Sequence, residues 1–235
     1  MQVPVIDISP FRAGAPAARA RVAAQVDDAC RDIGFLVIEG HGVDSALIAE
    51  TEAVSRAFFD LPLPEKMTVQ RPAPDVTRGY IPVMAESVAR SRGEATPGDM
   101  NESMMIGPLD VPDTPYFKGP AAGRHFAPNL WPERPAAFRA AWTAYYRAME
   151  ALAEEVMRIF AAALSLDDAD FFRDKIDRHI SRLRVRNYPA PQTAPAPGQL
   201  RAGAHTDYGS LTILKTEDRP GGLQVFSRDG RGTGG

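Results

Sequence analysis

Arg201-Ala-Gly-Ala-His-Thr-Asp-Tyr-Gly-Ser-Leu-Thr-Ile-Leu214 is the stretch of this sequence that says most about its fold and chemistry. It contains His205 and Asp207, separated by one threonine. Side chains alternate across a β-strand, so residues two apart point to the same side and can converge on one point. An imidazole and a carboxylate in this arrangement supply two of the three ligands of the 2-His-1-carboxylate triad that holds non-haem Fe(II). We therefore predict a strand here, with both residues binding a metal.

The composition is that of an ordinary soluble globular protein. The 235 residues are 44% hydrophobic and 24% charged, with a net charge of −3, which leaves no basic footprint for nucleic acid. No stretch approaches the ~18 apolar residues of a membrane span, and no secretory signal is visible at the N-terminus. The single cysteine, Cys30, fits a reducing compartment. We expect a cytoplasmic protein without membrane or nucleic-acid partners, in which Cys30 packs into the core.

Hydrophobic periodicity predicts helices in the first 180 residues and strands after them. Apolar residues at three-to-four spacing predict helices over 17–33, 44–60, 135–164 and, more briefly, 169–177. Short apolar or alternating runs predict strands over 3–8, 35–38 (fully buried), 99–107, 182–188, 211–214 and 223–226. Residues 70–135 are rich in Pro and Gly and are predicted to form a connecting region. This segregation indicates an α+β fold with an antiparallel sheet or barrel.

Several runs, in order along the whole chain, resemble the isopenicillin N synthase-like family of Fe(II)- and 2-oxoglutarate-dependent oxygenases. The matching runs are Val3–Ile8, Gly34–Val43, Phe58–Pro62, Arg78–Tyr80, Asp99–Gly107, Pro128–Pro132, Leu183–Pro189, His205–Leu214 and Gly221–Val225. The resemblance implies a double-stranded β-helix (jelly-roll) with flanking helices. Residues 1–180 would form its N-terminal helical and strand region, and residues 181–235 the first part of the jelly roll. It also implies Fe(II) on His205 and Asp207, with 2-oxoglutarate as co-substrate.

Tyr188 and Arg186 are the cofactor-binding candidates that the resemblance supplies. Tyr188 matches a tyrosine that contacts 2-oxoglutarate in many relatives within an Asn-x-Tyr pattern, whereas Arg186 stands at the asparagine position. On a strand, Arg182, Arg184, Arg186 and Tyr188 would share one face. That face is either a basic ridge for an anionic substrate or a solvated surface of long side chains. The sequence leaves both interpretations open.

The C-terminal part departs from the family pattern. Relatives supply a second histidine roughly fifty residues beyond the first pair, and about ten residues later an Arg-x-Ser that grips the distal carboxylate of 2-oxoglutarate. Here 28 residues follow Asp207, and none of them is a histidine. His41 lies in a Gly-His-Gly turn, and His125 and His179 have no ligand-spaced partner. We therefore expect a C-terminally truncated member whose barrel is incomplete.

Three functions remain open at this point. The first is an oxygenase that uses O2 to hydroxylate, desaturate or cyclise a small molecule, or that forms ethylene and succinate as some bacterial relatives do. The second is a non-catalytic remnant or interaction protein, because two ligands bind iron less well than three and open strand edges invite association. The third is another divalent-metal enzyme, such as a zinc hydrolase, built on the same pair. We expect an oxygenase by family, with little turnover from these 235 residues alone.

Overall fold

The structure is a computed structural model that describes residues 2–87, 97–190, 199–217, 222–226 and 232–234. The chain divides into two compact units. The N-terminal unit comprises Met1–Asp44, Ala148–Arg178 and Leu211–Gly235. The central unit comprises Ser45–Arg147 and His179–Ser210, and it contains every candidate site residue named above.

The helices predicted from apolar spacing are confirmed. In the described residues the α-helices are α1 (Ser9–Arg12), α2 (Pro16–Asp32), α3 (Ser45–Phe59), α4 (Leu63–Met67), α5 (Pro115–Lys118), α6 (Phe138–Ala163) and α7 (Arg173–Ile176). A 3-10 turn covers Pro120–Ala122. The short helices α1, α4 and α5 each carry a proline in the first turn, where its missing N–H has no intrahelical partner to lose. No helix in the described part of the chain combines the length and apolarity needed to cross a membrane.

The strands form three small sheets in the described ranges. They are β1 (Val5–Asp7), β2 (Val37–Glu39), β3 (Gly79–Ile81), β4 (Glu102–Ile106), β5 (Leu183–Asn187), β6 (Gln224–Phe226) and β7 (Gly232–Gly234). The strand order is β1-β2, β3-β4-β5 and β6-β7, and the described strands close no barrel. The mixture of helices and small sheets is the α+β class that the sequence predicts.

The core of the N-terminal unit lies between α2, the end of α6 and the parallel pair β1-β2. Val22, Val26 and Ala29 of α2 pack with Leu152 and Val156 of α6. Two predictions for this unit are wrong. The run 35–38 is not a buried strand, because only one side of the two-stranded sheet is covered and its other side chains are exposed. Cys30 is exposed as well, since the adjacent position 29 already faces the core and a helix turns by 100° per residue.

The central unit is built on the antiparallel sheet β3-β4-β5. Tyr80 lies opposite Met104, which in turn lies opposite Val185. These three side chains pack into one cluster with Phe58 of α3 and Trp142 of α6. Because side chains alternate across a strand, the residues between them point to the other side of the sheet. This second side carries the arginines of β5.

The predicted strands around His205–Asp207 and over 211–214 are wrong. Residues 199–217 form no strand with any described part of the chain, and a strand exists only through hydrogen bonds to a neighbour. Leu211 and Ile213 nevertheless pack against the core of the N-terminal unit. The predicted strand at 223–226 is confirmed as β6, and it pairs with the glycine-rich β7, which strand propensity does not predict.

Candidate active site

His205 and Asp207 meet in a loop of the central unit. His205 Nε2 lies 3.4 Å from Asp207 Oδ1, and the two side chains are 34% and 52% exposed. His205 Nδ1 lies 2.8 Å from the carbonyl oxygen of Gly203. A carbonyl only accepts, so Nδ1 carries the proton in this contact, and in the neutral ring Nε2 keeps its lone pair. The structure thus brings the two predicted ligand atoms to one point, although the segment is not a strand.

The two donor groups, an imidazole nitrogen and a carboxylate, are of the types that bind divalent cations. In the neutral ring, His205 Nε2 and the carboxylate of Asp207 can both donate a lone pair to a cation placed between them. A neutral imidazole and one carboxylate match the ligand types of a non-haem Fe(II) centre. Within the described ranges, however, no group of three or more His, Cys, Asp or Glu side chains could hold a metal. The described residues therefore offer two candidate ligands, one fewer than the three that such a centre needs.

The other histidines make local contacts. His41 Nδ1 accepts a hydrogen bond from the amide of Val43 at 3.1 Å, as expected for its turn. His179 Nδ1 accepts one from the amide of Ser181 at 3.3 Å, and His125 is exposed. Among the described residues, none of these three histidines lies with His205 and Asp207 in a group that could hold a metal.

The segment that leads to His205 is attached to the end of the central sheet. The amide of Met100 donates to the carbonyl of Leu200 at 3.1 Å. The side-chain amide of Asn101 donates to the carbonyl of Arg201 at 2.7 Å, and Arg201 Nη1 donates to the carbonyl of Tyr188 at 3.2 Å. These bonds fix the chain four residues before His205 against the ends of β4 and β5.

The predicted cofactor residues lie at the same end of the sheet. Arg186 Nη1 donates to Asn101 Oδ1 at 3.1 Å, and Asn101 is the residue that also binds the chain before His205. The side chain of Tyr188 is exposed. Asn101 thus contacts both Arg186 and the chain four residues before His205, while the roles of Arg186 and Tyr188 in binding 2-oxoglutarate stay predictions.

We use the term arginine face for the side of the sheet that carries Arg184, Arg186 and Ser103. Arg184 Nη2 donates to Glu86 Oε2 at 2.6 Å and to Ser103 Oγ at 2.8 Å, and Glu86 also accepts from Arg71. Arg184 and Arg186 are half-buried, whereas Arg182 and Tyr188 at the two ends of this row are exposed, so neither interpretation describes the whole row. The sequence did not predict Glu86, Asn101 and Ser103 as their partners, because these residues lie 81 to 98 positions before the arginines and only the folded chain brings them together.

The opposite side of the sheet holds a buried polar network. Glu102 accepts from Lys66 at 2.8 Å, from the hydroxyl of Tyr80, and from Asn187 at 2.8 Å. Lys66 also donates to the carbonyl of Phe59 at 2.9 Å. Burial and the hydrogen bond to Glu102 raise the pKa of the Tyr80 hydroxyl, which therefore remains a donor at physiological pH. The network joins α4, β3, β4 and β5 and holds the register on which the arginine face depends.

Glu86 makes the stability of the central unit depend on pH. Burial alone would raise the pKa of this carboxyl, but the charges and hydrogen bonds of Arg184 and Arg71 lower it below the ordinary value of 4.5. A carboxyl with a depressed pKa in the folded state stabilises the fold above its unfolded pKa, and this contribution is lost as the pH falls through the folded value. We expect Glu86→Gln to be less stable than the wild type at pH 7, with a smaller further loss on acidification below pH 4.5.

Urea unfolding curves measured over a pH series check this expectation. The matched control is Glu133→Gln, which removes one carboxylate from an exposed position. Parallel pH profiles for the wild type and Glu86→Gln would contradict the assigned role of Glu86.

Comparison with known proteins shows which family has this architecture. Residues 3–134 match the family model described as non-haem dioxygenase in morphine synthesis N-terminal. The chain is 31% identical over 231 residues to validamycin A dioxygenase of Streptomyces hygroscopicus subsp. limoneus, covering 97% of this chain and 61% of that protein. It is 32% identical over 228 residues to the 2-oxoglutarate-Fe(II) type oxidoreductase hxnY of Emericella nidulans, covering 95% and 63%. The chain thus spans less than two thirds of the length of these relatives.

Solved structures show the same relationship. A full-length Neurospora crassa protein, solved in complex with alpha-KG, superposes with a TM-score of 0.80 at 31% identity, over 99% of this chain and 69% of that one. A putative 2OG-Fe(II) oxygenase family protein from Caulobacter crescentus superposes with a TM-score of 0.77 at 28% identity, over 98% and 68%. These superpositions confirm the predicted jelly-roll class, with its barrel incomplete in the described residues. The chain belongs to the family of non-haem oxygenases that depend on 2-oxoglutarate and Fe(II).

Proposed function

We propose that this chain carries the metal-binding half of a 2-oxoglutarate-dependent Fe(II) oxygenase that oxidises a small molecule with O2. The observation that carries the proposal is the 3.4 Å approach of His205 Nε2 and Asp207 Oδ1 on a chain of this family. Both side chains are partly open to solvent, so a metal and its remaining ligands can reach them. A bound Fe(II) would supply the O2 chemistry, which is coupled to decarboxylation of 2-oxoglutarate.

Each site residue has a proposed role in this function. His205 and Asp207 hold the metal, and the carbonyl of Gly203 keeps the imidazole oriented with Nε2 toward it. Arg186 and Tyr188 bind 2-oxoglutarate from the end of β5. Their support is the shared anchor Asn101, which contacts both Arg186 and the chain before His205.

The remaining sequence-based expectations belong to the same proposal. We place the protein among the isopenicillin N synthase-like oxygenases of the cytoplasm, with residues 1–180 as the N-terminal region and 181–235 as the first part of the jelly roll. Ethylene formation is a narrower version of the proposed reaction. Measuring ethylene in the headspace during a 2-oxoglutarate turnover assay tests this narrower reaction.

The test is an anaerobic titration of the purified chain with Fe(II) and with Zn(II), followed by measurement of succinate release from 2-oxoglutarate in air. We expect Fe(II) to bind to the wild type and both His205→Ala and Asp207→Ala to weaken binding by about tenfold or more, since even outer partners of metal ligands contribute about tenfold. His125→Ala is the control, because its exposed ring lies outside the proposed site.

The outcomes separate the three candidate functions. Iron-dependent succinate release that is lost in His205→Ala supports the oxygenase. Iron binding without succinate release supports a non-catalytic remnant or interaction protein. Selective Zn(II) binding with hydrolytic activity would instead favour a zinc enzyme, and equal Fe(II) binding by the wild type and both variants would overturn the metal site.

A further inference from the structure

The carboxamide of Asn101 joins the central sheet to the segment that leads to His205. Asn101 directly precedes β4 and is 6% exposed. Its Nδ2 donates to the carbonyl of Arg201 at 2.7 Å, and its Oδ1 accepts from Arg186 Nη1 at 3.1 Å. Because a carbonyl only accepts and a guanidinium only donates, these two partners allow one orientation of the amide. The side chain is therefore fixed at both of its polar ends.

The loop of residues 202–210 carries both metal candidates and has few attachments of its own. Among the described residues, the one hydrogen bond of this stretch is the local contact between His205 Nδ1 and the carbonyl of Gly203. The stretch also pairs with no described strand. Its position relative to the central sheet therefore depends on the residues just before it.

The bond from Asn101 is the contact of these preceding residues that lies nearest to the loop. It is shorter than the bond from the amide of Met100 to the carbonyl of Leu200, at 3.1 Å, and than that from Gln199 Nε2 to the carbonyl of Gly98, at 3.2 Å. Asn101 is buried, whereas Gln199 is half-buried. A hydrogen bond away from water is electrostatically stronger, so Asn101 provides the firmest attachment at the start of the loop.

This attachment is close enough to orient the imidazole. The buried Gly203 lies two residues after Arg201, and its carbonyl oxygen is 2.8 Å from His205 Nδ1. Nε2 of the same ring faces Asp207 Oδ1 at 3.4 Å. A shift of residue 201 would therefore move the carbonyl that orients the ring. Groups that orient a metal ligand contribute to the affinity for the metal.

We propose that Asn101 is a positioning residue of the metal site, which sets the place of His205 and Asp207 through the carbonyl of Arg201. Its effect on metal affinity rests on the proposed function, because it requires a cation on His205 and Asp207. Its effect on the loop requires no metal.

Two replacements of Asn101 separate the two ends of its carboxamide. Asn101→Asp keeps an acceptor for Arg186 but loses the donor to Arg201, whereas Asn101→Leu loses both contacts at similar volume. The matched control is Asn129→Leu at the other end of β4. Asn129 accepts from the amide of Gly107 at 2.8 Å and donates to the carbonyl of the same residue at 3.1 Å. This control therefore removes an asparagine that joins two segments far from the loop.

Limited trypsin digestion of the full chain in EDTA, with fragments identified by mass spectrometry, tests the loop without a metal. Trypsin attacks the carbonyl of a basic residue, and Arg201 is exposed, so the attacked carbonyl is the one that Asn101 holds. We expect cleavage after Arg201, relative to the other basic residues, to be about three- to tenfold faster in both Asn101 variants, the effect of one neutral hydrogen bond.

The relative rate separates this local effect from a general loss of stability, which accelerates cleavage at every site. Asn129→Leu should therefore leave the relative rate after Arg201 unchanged. An unchanged relative rate in either Asn101 variant, or an equal increase in Asn129→Leu, overturns the proposal.

Titration with Co(II), followed by its visible absorption, measures the effect on the metal site. We expect both Asn101 variants to bind Co(II) about three- to tenfold more weakly than the wild type, even though Asn101→Asp adds a negative charge. Asn129→Leu should bind like the wild type. Equal Co(II) binding by the wild type and both Asn101 variants overturns the positioning role. If the wild type binds no Co(II), the proposed metal function falls, and the trypsin result still decides whether Asn101 holds the loop.

Discussion

Replacing Glu102 by alanine is expected to lower the free energy of unfolding by about 3–5 kcal/mol, the cost of breaking a buried ion pair from one side. Glu102 and Lys66 are 4% and 9% exposed and lie 2.8 Å apart. Without the carboxylate, the carbonyl of Phe59 is the one hydrogen-bond acceptor left to the Lys66 ammonium among the described residues. The hydroxyl of Tyr80 and the amide of Asn187 lose their acceptor at the same time.

Urea denaturation followed by tryptophan fluorescence measures this loss directly. Both tryptophans, Trp131 and Trp142, belong to the central unit, so the signal reports on the unit that contains the network. The control is Arg134→Ala, which breaks an ion pair with Glu65 whose side chains are 68% and 39% exposed. Such exposed pairs contribute less than about 1 kcal/mol.

A double variant tests the cause of the effect. Replacing Lys66 by methionine together with Glu102 by leucine removes both charges, so no unpaired ion remains in the core. We expect it to recover part of the stability that Glu102→Ala loses, because apolar replacements of buried pairs are often tolerated. A loss in Glu102→Ala as small as that of Arg134→Ala would contradict the network as described.

The helices were predictable because their signal is local. The apolar residues of α2, α3 and α6 recur every three or four positions, and this spacing alone defines a buried stripe. Strand β3 was not predicted, since Gly79–Ile81 is three residues long and lies in a Pro/Gly-rich region. The strand predicted through His205 failed for the opposite reason. Its alternation is present in the sequence, but strand formation depends on a partner far along the chain.

The candidate site likewise has one contact that the sequence could predict and others that it could not. His205 and Asp207 are close in sequence, so a loop brings Nε2 and Oδ1 to within 3.4 Å without a strand. Glu86 lies 98 residues before Arg184, and Asn101 lies 85 residues before Arg186. These contacts join segments that are far apart in the chain, and no local pattern specifies such pairings. The sequence can therefore predict the candidate metal ligands of this site, but not the side chains that hold Arg184 and Arg186 in place.

Trp142 is the side chain on which the packing behind the sheet depends most. It is fully buried, and its ring stacks on that of Phe138 with centroids 4.5 Å apart. Its Nε1 donates to the hydroxyl of Ser55 at 2.9 Å, which joins α6 to α3. We expect Trp142→Ala to lower the free energy of unfolding by about 3–5 kcal/mol, because it opens a cavity that the surrounding core cannot fill.

Trp142→Phe separates packing from hydrogen bonding. Phenylalanine keeps most of the ring contact but leaves Ser55 with its bond to the carbonyl of Thr51 alone, so we expect a loss of only about 1–2 kcal/mol. Circular dichroism is the appropriate measurement, since one of the two tryptophans is removed. Equal losses for Trp142→Ala and Trp142→Phe would contradict the cavity argument.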